Sequence, residues 1–382
     1  MKRLGNSLVA LCLAVSILPV SIQAAPAEVA AKSAILMDLT TGTVLYEQNA
    51  HEKLPPASVT KVMTMLLVME AIDQGRIGWE DTVTASDAAA AKGGSQIYLK
   101  SGETMSVTDM LKAIAVSSAN DAACAMAEHI AGSEEAFVQQ MNARAAELGM
   151  EDTHFVNCTG LDDGPEAAEH LMSAHDIALM SRQLLLYHPE IKKFTTVWMD
   201  TLRGGTFGLS NTNKMVRFYS GATGLKTGFT AKAGYCLSAS ALREGMELVA
   251  VVMGSETSKD RFAACKSLLD YGFANYALIR PESRDGSVPV KLGEADAVTA
   301  SPVREPCLLI DKSQKSTVTT QITLDREVTA PVSKGQRLGM LTIRSGEQVL
   351  DQIPLVAAAP VRKLTWGQVF AKVLRQLCMA KP

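Results

Sequence analysis

The sequence predicts an α/β domain of the α+β type, with an antiparallel sheet and a helical subdomain, followed by a small all-β domain. Strand-like segments lie at both ends of residues 28–280, and a helical middle separates them. Elements in this order assemble one sheet from both ends of the segment. Beyond Arg280, short strands separated by turns fill residues 281–358, which is typical of a small all-β domain.

Residues 1–27 have the pattern of a secretory signal peptide. Lys2 and Arg3 precede an apolar stretch at about residues 8–20, and small residues follow it. The stretch is shorter than the ~20 residues that span a bilayer, and no charged stop follows it. We therefore predict export and cleavage, with a retained membrane anchor as the alternative.

The first domain opens with two predicted strands, at residues 34–38 and 43–46, around a turn that contains Gly42. Helical apolar spacing predicts a helix at residues 58–72 and a mainly helical region at 107–186. The domain closes with strands at 221–229, 234–240 and 247–253 and a helix at 259–277. In the second domain we predict strands at 287–290, 307–310, 317–324, 338–343 and 349–355.

The tail at residues 359–382 is predicted to form an amphipathic helix. One apolar stripe contains Trp366, Val369, Phe370, Val373, Leu374 and Leu377, and basic side chains lie on other faces. We interpret it as a helix that associates with a membrane surface. The alternative is a helix packed on its own domain.

The composition excludes some partners and favours no cofactor. The formal net charge is -3 and no basic cluster stands out before the C-terminus, so nucleic-acid binding has no electrostatic support. After signal cleavage six cysteines remain, at positions whose irregular spacing indicates buried thiols and predicts no metal site. They are Cys124, Cys158, Cys236, Cys265, Cys307 and Cys378.

Three short motifs carry the chemistry: SVTK at residues 58–61, SAN at 118–120 and KTG at 226–228. In a helix, positions i and i+3 share a face, so the Ser58 hydroxyl and the Lys61 amine can meet. A serine needs a base to become a nucleophile, and burial or a second cation could lower the pKa of Lys61 enough for that role. Taken alone, the pair is better explained as a helix cap and a surface lysine.

The other two motifs strengthen the catalytic interpretation. Ser118 and Asn120 precede an alanine-rich helical stretch, where both residue types are also ordinary caps. Lys226 lies in a strand-like segment and suits a free substrate carboxylate. Gly228, two positions on, would let a substrate backbone lie close and pair as an added strand.

Around these motifs the sequence resembles the low-molecular-weight penicillin-binding proteins, serine-type D-Ala-D-Ala carboxypeptidases of peptidase family S11. The resemblance is carried by PASVTK at residues 56–61, SSANDA at 117–122, GLKTGFT at 224–230, AGY at 233–235 and VMG at 252–254. It implies a β-lactamase/transpeptidase-like catalytic domain.

The resemblance also implies roles for individual residues. Ser58 would be the acylated nucleophile and Lys61 its general base, and Ser118 and Asn120 would form the second wall. Lys226 and Thr227 would hold the substrate carboxylate next to Gly228, and the backbone amides of Ser58 and Phe229 would form the oxyanion hole. Arg261 resembles an arginine that supports carboxylate recognition.

The expected reaction is therefore removal of the terminal D-alanine from peptidoglycan pentapeptide stems at the extracytoplasmic face of a bacterial cytoplasmic membrane or in the cell wall. β-Lactams would acylate the same serine, and no cofactor is needed. The alternatives are a class A-like β-lactamase, a DD-endopeptidase and a non-catalytic wall-binding scaffold. The Glu-x-x-Leu-Asn pattern of class A β-lactamases does not occur between the second and third motifs.

Overall fold

The computed structural model describes residues 29–379. The predicted signal peptide at residues 1–27 lies outside the described residues. Within the described part, a domain of mixed helices and antiparallel strands precedes an all-β domain and a terminal helix, so the predicted fold class is confirmed.

The strands are, in chain order, β1 (Ser33–Asp38), β2 (Val44–Gln48), β3 (Thr82–Thr84), β4 (Thr104–Ser106), β5 (Met199–Leu202), β6 (Phe207–Ser210), β7 (Ala222–Thr230), β8 (Gly234–Arg243), β9 (Met246–Ser255), β10 (Tyr276–Ile279), β11 (Gly286–Lys291), β12 (Ala297–Pro302), β13 (Leu308–Asp311), β14 (Val318–Leu324), β15 (Val328–Thr329), β16 (Arg337–Ser345) and β17 (Gln348–Ala357).

The α-helices are α1 (Lys61–Asp73), α2 (Asp87–Ala90), α3 (Val107–Ser117), α4 (Asn120–Ala131), α5 (Glu134–Glu147), α6 (Ala174–Tyr187), α7 (Lys192–Thr195), α8 (Met215–Phe218), α9 (Ser258–Asn275) and α10 (Trp366–Met379). Short 3-10 turns occur at Ala57–Thr60, Pro165–Ala168, Pro189–Ile191, Arg203–Gly205 and Lys312–Thr317.

The main sheet has the strand order β2-β1-β9-β8-β7, and all of its pairings are antiparallel. β1 pairs with β9, so the two ends of the domain meet at the centre of one sheet as predicted. Helices α6 and α9 both pack on β9, which is buried along its whole length. β7 forms one edge of this sheet, and that edge carries the KTG motif.

The helical subdomain is built around α1. Ten of its thirteen residues are buried, and it contacts α4 and α6. A helix that is apolar on all sides is typical of a core element rather than a surface one. The predicted start at Ser58 was wrong: the 3-10 turn Ala57–Thr60 precedes α1, which begins at Lys61.

The all-β domain contains a six-stranded sheet with the order β14-β16-β17-β12-β11-β15. Its core is aliphatic and includes Val288, Leu338, Ile343 and Leu355. The sequence did not predict β12, because its Ala-Val-Thr-Ala-Ser-Pro stretch carries few strongly apolar residues. Pairing with β11 and β17 nevertheless places it inside the sheet.

The junction between the domains differs from the prediction. Helix α9 ends at Asn275, two residues before the predicted end, because the following Tyr-Ala-Leu-Ile segment forms β10. β10 pairs antiparallel with β13, which was predicted as part of the all-β domain. The β10–β13 pair therefore links the end of the first domain to the second domain.

Among the helices of residues 29–379, none combines the length and the apolar character needed to cross a membrane. In the same range, no group of three or more His, Cys, Asp or Glu side chains could hold a metal ion. The free cysteines described are buried at 124, 158, 236 and 265 and partly exposed at 307.

Candidate active site

The Ser58 hydroxyl and the Lys61 amine meet at the start of α1. Ser58 lies in the 3-10 turn, where side chains three positions apart eclipse one another. Lys61 Nζ lies 2.9 Å from Ser58 Oγ and also donates to the carbonyl oxygen of Thr159 at 2.8 Å. The lysine is thus held against the serine by a second, fixed acceptor.

The environment of Lys61 favours its neutral form. Its side chain is completely buried, and this desolvation lowers its pKa from 10.5 to about 7. Cys158 and the Asp121 carboxylate oppose the shift. The Asp121 carboxylate is engaged elsewhere, because it accepts hydrogen bonds from the backbone N–H groups of Ile97 and Leu99. Burial therefore brings the neutral form of Lys61 within reach near neutral pH.

The SAN motif lies at the junction of α3 and α4. Ser118 ends α3 with φ 66, a left-handed conformation, and Asn120 begins α4. Asn120 Nδ2 donates to the Gly93 carbonyl oxygen at 2.7 Å, whereas its buried Oδ1 has no hydrogen-bond partner within residues 29–379. The motif therefore offers an unused buried acceptor beside a serine that is almost fully buried.

The KTG motif lies on the edge strand β7. Lys226 is buried, and its Nζ donates to the Thr227 carbonyl oxygen at 2.8 Å. Burial first, and then the charges of Lys61 and Arg261, lower the pKa of Lys226 well below its ordinary value. The Thr227 hydroxyl lies 2.6 Å from that of Thr212, a residue that the sequence analysis did not identify. An anion bound beside Lys226 would favour the charged form of this lysine.

Gly228 lies close to the turn that contains Ser58. A Cβ at this position would lie 2.6 Å from the carbonyl oxygen of Pro56 and 3.1 Å from the backbone nitrogen of Ser58. The glycine thus allows β7 to pack directly on the turn that carries Ser58. This contact brings the amide of Ser58 next to the strand that continues to Phe229.

Arg261 supports β7 from behind. It lies in the first turn of α9, and its Nη1 donates to the Gly228 carbonyl oxygen at 2.9 Å and to that of Cys236 at 3.3 Å. Its guanidinium stacks on Tyr235, whose ring in turn stacks on Phe229 with centroids 4.2 Å apart. Arg261 therefore holds the motif strand and adds positive charge near Lys226.

A loop at residues 157–160, within the region predicted as mainly helical, forms part of this site. Asn157 Oδ1 accepts the N–H groups of Thr159 and Gly160 and so fixes the carbonyl that binds Lys61. A Cβ on Gly160, which has φ +80, would lie 1.9 Å from the Ala57 carbonyl oxygen. The asparagine and glycine indicate a tight turn, but no sequence signal shows which carbonyl faces the lysine.

The structure places Ser58 against Lys61, Gly228 against the turn of Ser58, and Arg261 against Gly228. Ser118 and Asn120 lie where α3 meets α4, two helices that both pack on α1. Together these residues supply a hydroxyl, a neighbouring amine that is partly neutral, a buried amide acceptor and an edge strand that carries a lysine. These parts suit acyl transfer to serine from a substrate that carries a carboxylate.

Comparisons with known proteins agree with this chemistry. Residues 20–257 match the peptidase S11 model, described as D-alanyl-D-alanine carboxypeptidase, and residues 274–363 match the C-terminal domain of penicillin-binding protein 5. The chain is 44% identical to the D-alanyl-D-alanine carboxypeptidase DacF of Bacillus subtilis, over 87% of this chain and 86% of that protein.

Solved structures give the same result. The crystal structure of penicillin-binding protein 5 from Haemophilus influenzae matches with a TM-score of 0.76 at 30% identity, covering 89% of this chain and all of that one. Ampicillin-bound penicillin-binding protein D2 from Listeria monocytogenes matches with a TM-score of 0.59 at 33% identity, covering 64% of this chain and 98% of that one. With the serine, the two lysines and the matched C-terminal domain, these likenesses establish that the chain belongs to the peptidase S11 family of D-alanyl-D-alanine carboxypeptidases.

Proposed function

We propose that the D-alanyl-D-alanine carboxypeptidase activity of this protein proceeds through an acyl-enzyme on Ser58, with peptidoglycan pentapeptide stems as substrates. One observation carries the proposal: Lys61 Nζ lies 2.9 Å from Ser58 Oγ in a site that makes the amine partly neutral. A neutral amine at that distance can take the hydroxyl proton as the oxygen attacks.

The acylation step follows from this geometry. Ser58 Oγ bonds to the carbonyl carbon of the penultimate D-alanine, and its proton moves to Lys61 Nζ. The backbone N–H groups of Ser58 and Phe229 would donate to the resulting oxyanion. The carbon–nitrogen bond then breaks, and the terminal D-alanine leaves with a proton relayed through the Ser118 hydroxyl. Water later attacks the ester, the bond to Ser58 Oγ breaks, and the hydroxyl regains a proton.

Substrate binding would also prepare the base. The terminal carboxylate would lie beside Lys226 and Thr227 and would stabilise the Lys226 ammonium. The charges of Lys226 and Lys61 repel each other, so an ammonium at Lys226 keeps Lys61 neutral. Asn120 Oδ1, buried and without a partner in the described part of the chain, is free to accept an N–H group of the stem peptide.

Product analysis tests this function and separates it from its alternatives. The purified enzyme should release D-alanine and tetrapeptide, in equal amounts, from a pentapeptide that ends in D-Ala-D-Ala. Cleavage of cross-linked muropeptide dimers without action on the pentapeptide would indicate an endopeptidase. Rapid turnover of penicillin would indicate a β-lactamase, and the absence of any product would indicate a binding scaffold.

We also propose that α10 holds the enzyme on the membrane surface after export. Its apolar side chains are exposed rather than packed on the β domain: the exposed fraction is 91% for Trp366 and 70% for Phe370. The helix touches the β domain through polar groups, including an ion pair between Lys372 and Asp296. An exposed aromatic stripe beside basic residues suits a lipid interface. The signal-like pattern at residues 1–27 supports export to the extracytoplasmic side.

Truncation after Thr365 should release an active enzyme from membranes. We choose this point because Val361 and Lys363 still pair with the β domain, whereas α10 begins at Trp366. Sedimentation with vesicles of phosphatidylglycerol and phosphatidylethanolamine should show the full-length mature chain in the pellet and the truncated chain in the supernatant. Both forms should release D-alanine at the same rate.

A matched pair of full-length variants checks this interpretation. Combined Trp366→Gln and Phe370→Gln should abolish vesicle binding, whereas Ala371→Gln, which lies off the apolar stripe, should not. If the truncated chain still sediments with vesicles, another part of the protein binds the membrane.

A further inference from the structure

A buried histidine lies between the two sides of the candidate active site. His170 is 3% exposed, and its Nδ1 accepts the backbone N–H of Val156 at 3.2 Å. Its Nε2 lies 2.8 Å from Thr60 Oγ1. A neutral imidazole carries one proton, and Nδ1 is used as an acceptor, so the proton is on Nε2 and is donated to Thr60.

The hydrogen-bond chain continues to the residue before the nucleophile. Having accepted from His170, the Thr60 hydroxyl donates its own proton to the Ala57 carbonyl oxygen at 2.9 Å. Ala57 has φ +48, in the left-handed region that residues with a Cβ rarely adopt. This series of hydrogen bonds therefore ends at Ala57, a residue with a strained backbone whose conformation orients the adjacent Ser58.

The other ring nitrogen faces the loop that holds the base. Val156, which donates to it, leads into Cys158 and Thr159. The Cys158 carbonyl oxygen accepts from Thr64 on α1 at 2.6 Å, and that of Thr159 accepts from Lys61 at 2.8 Å. One imidazole thus joins the turn that carries the nucleophile to the loop that fixes the base.

We propose that neutral His170 is a positioning residue for acylation, which holds the turn at residues 57–60 and the loop at 156–160 at the separation that puts Ser58 Oγ against Lys61 Nζ. This inference rests on the proposed function and extends it. His170 itself does not touch the serine or the lysine amine. A protonated ring would direct a second N–H at the N–H of Val156 and would break that side of the connection.

The surroundings keep the ring neutral while Lys61 titrates. Burial, and after it the positive charges of His154 and Lys61, lower the pKa of His170 to about 4. The ring of Phe155 packs against it edge-on, with centroids 5.8 Å apart. No carboxylate within the described residues lies within ion-pair distance of His170. No negative charge there therefore counteracts the lowering of the His170 pKa.

The test compares variants that remove one link each, with the rate of acylation by a fluorescent penicillin as the readout. His170→Asn keeps an acceptor near the position of Nδ1 and removes the donor to Thr60. Thr60→Val removes the hydroxyl with little change of shape. We expect each variant to lower the first-order acylation rate constant about 10- to 100-fold, the range for a misplaced reacting group, with non-covalent affinity changed less than twofold.

Conservative and combined variants separate positioning from general stability. Thr60→Ser should acylate within about threefold of the unchanged enzyme. The double variant His170→Asn, Thr60→Val should be no slower than the slower single variant, because both substitutions interrupt the same series of hydrogen bonds. The deficit should persist when the pH is raised above 8, where Lys61 is neutral in any case. His129→Asn, at an exposed position of α4, is the control and should behave like the unchanged enzyme.

Two results would overturn the inference. One is a wild-type acylation rate constant in folded His170→Asn or Thr60→Val; the other is full additivity of the two losses. A lower melting temperature with unchanged acylation would likewise assign His170 a structural role only. If the unchanged enzyme is not acylated at all, the proposed function fails instead, so the two failures are distinguishable.

Discussion

Ser58→Ala is expected to abolish D-alanine release and penicillin labelling together, with kcat lowered roughly 10⁴-fold or more. Ser58 Oγ lies 2.9 Å from Lys61 Nζ, at the turn on which Gly228 lets the edge strand pack, so its removal takes away the oxygen that faces the base. Since Ser58 is only partly buried, its replacement by alanine should leave the fold intact.

D-alanine release from a pentapeptide and gel fluorescence after penicillin labelling measure this loss. Ser345→Ala removes a hydroxyl of the β domain that is, like Ser58, partly buried, and as the matched control it should leave both signals unchanged. Residual labelling of Ser58→Ala at the rate of the unchanged enzyme would show that another side chain is acylated.

Replacement of Lys61 should have the second-largest effect, about 10²- to 10⁴-fold on the acylation rate, which is the usual contribution of a general base. Lys61→Arg keeps the positive charge but cannot lose a proton near neutral pH, and Lys61→Met keeps the approximate length without a base. Both should bind penicillin and acylate slowly. Lys334→Arg, on the surface of the β domain, provides the control.

The pH dependence of acylation provides a second test of Lys61 as the general base. Only neutral Lys61 accepts the serine proton, and its pKa is lowered to about 7, so the rate should rise with pH through about 7 and then level off. This fall of the acylation rate toward acidic pH should disappear in Lys61→Met. If the same pH dependence persists in that variant, another group is responsible for the titration.

The same pKa shift predicts a cost in stability. Because the folded protein binds a proton at Lys61 less readily than the unfolded chain, the free energy of unfolding should fall as the pH drops from about 10.5 to about 7 and level off below that. Lys61→Met removes the buried amine and should be more stable than the unchanged enzyme at pH 6. Denaturant unfolding at two pH values measures this difference.

The elements that carry the motifs could be predicted because their signals are local. The strand at residues 221–229, the helical run after Pro56 and the turn-rich second domain show their periodicity within a dozen residues. In the structure, the first motif lies at the start of α1, the second between α3 and α4, and the third on β7. The 3-10 turn at Ser58 was not predictable, because its residues fit a helical pattern equally well.

The supporting contacts of the site depend on residues far apart in the chain. Thr159 reaches Lys61 across 98 positions, and His170 reaches Thr60 across 110. No periodicity encodes such pairs. The sequence alone does not distinguish His170 from a surface histidine. The structure does, because its side chain is buried and both ring nitrogens form hydrogen bonds. The contact of Arg261 with the Gly228 carbonyl likewise depends on how α9 packs behind β7.

The most direct test of the account is to locate the acyl group. After incubation with penicillin, mass spectrometry of the intact protein should show one adduct per chain, and peptide mapping should place it on Ser58. Loss of that adduct on incubation should restore D-alanine release. An adduct on another residue, or none under conditions where D-alanine is released from pentapeptide, would contradict the acyl-enzyme mechanism at Ser58.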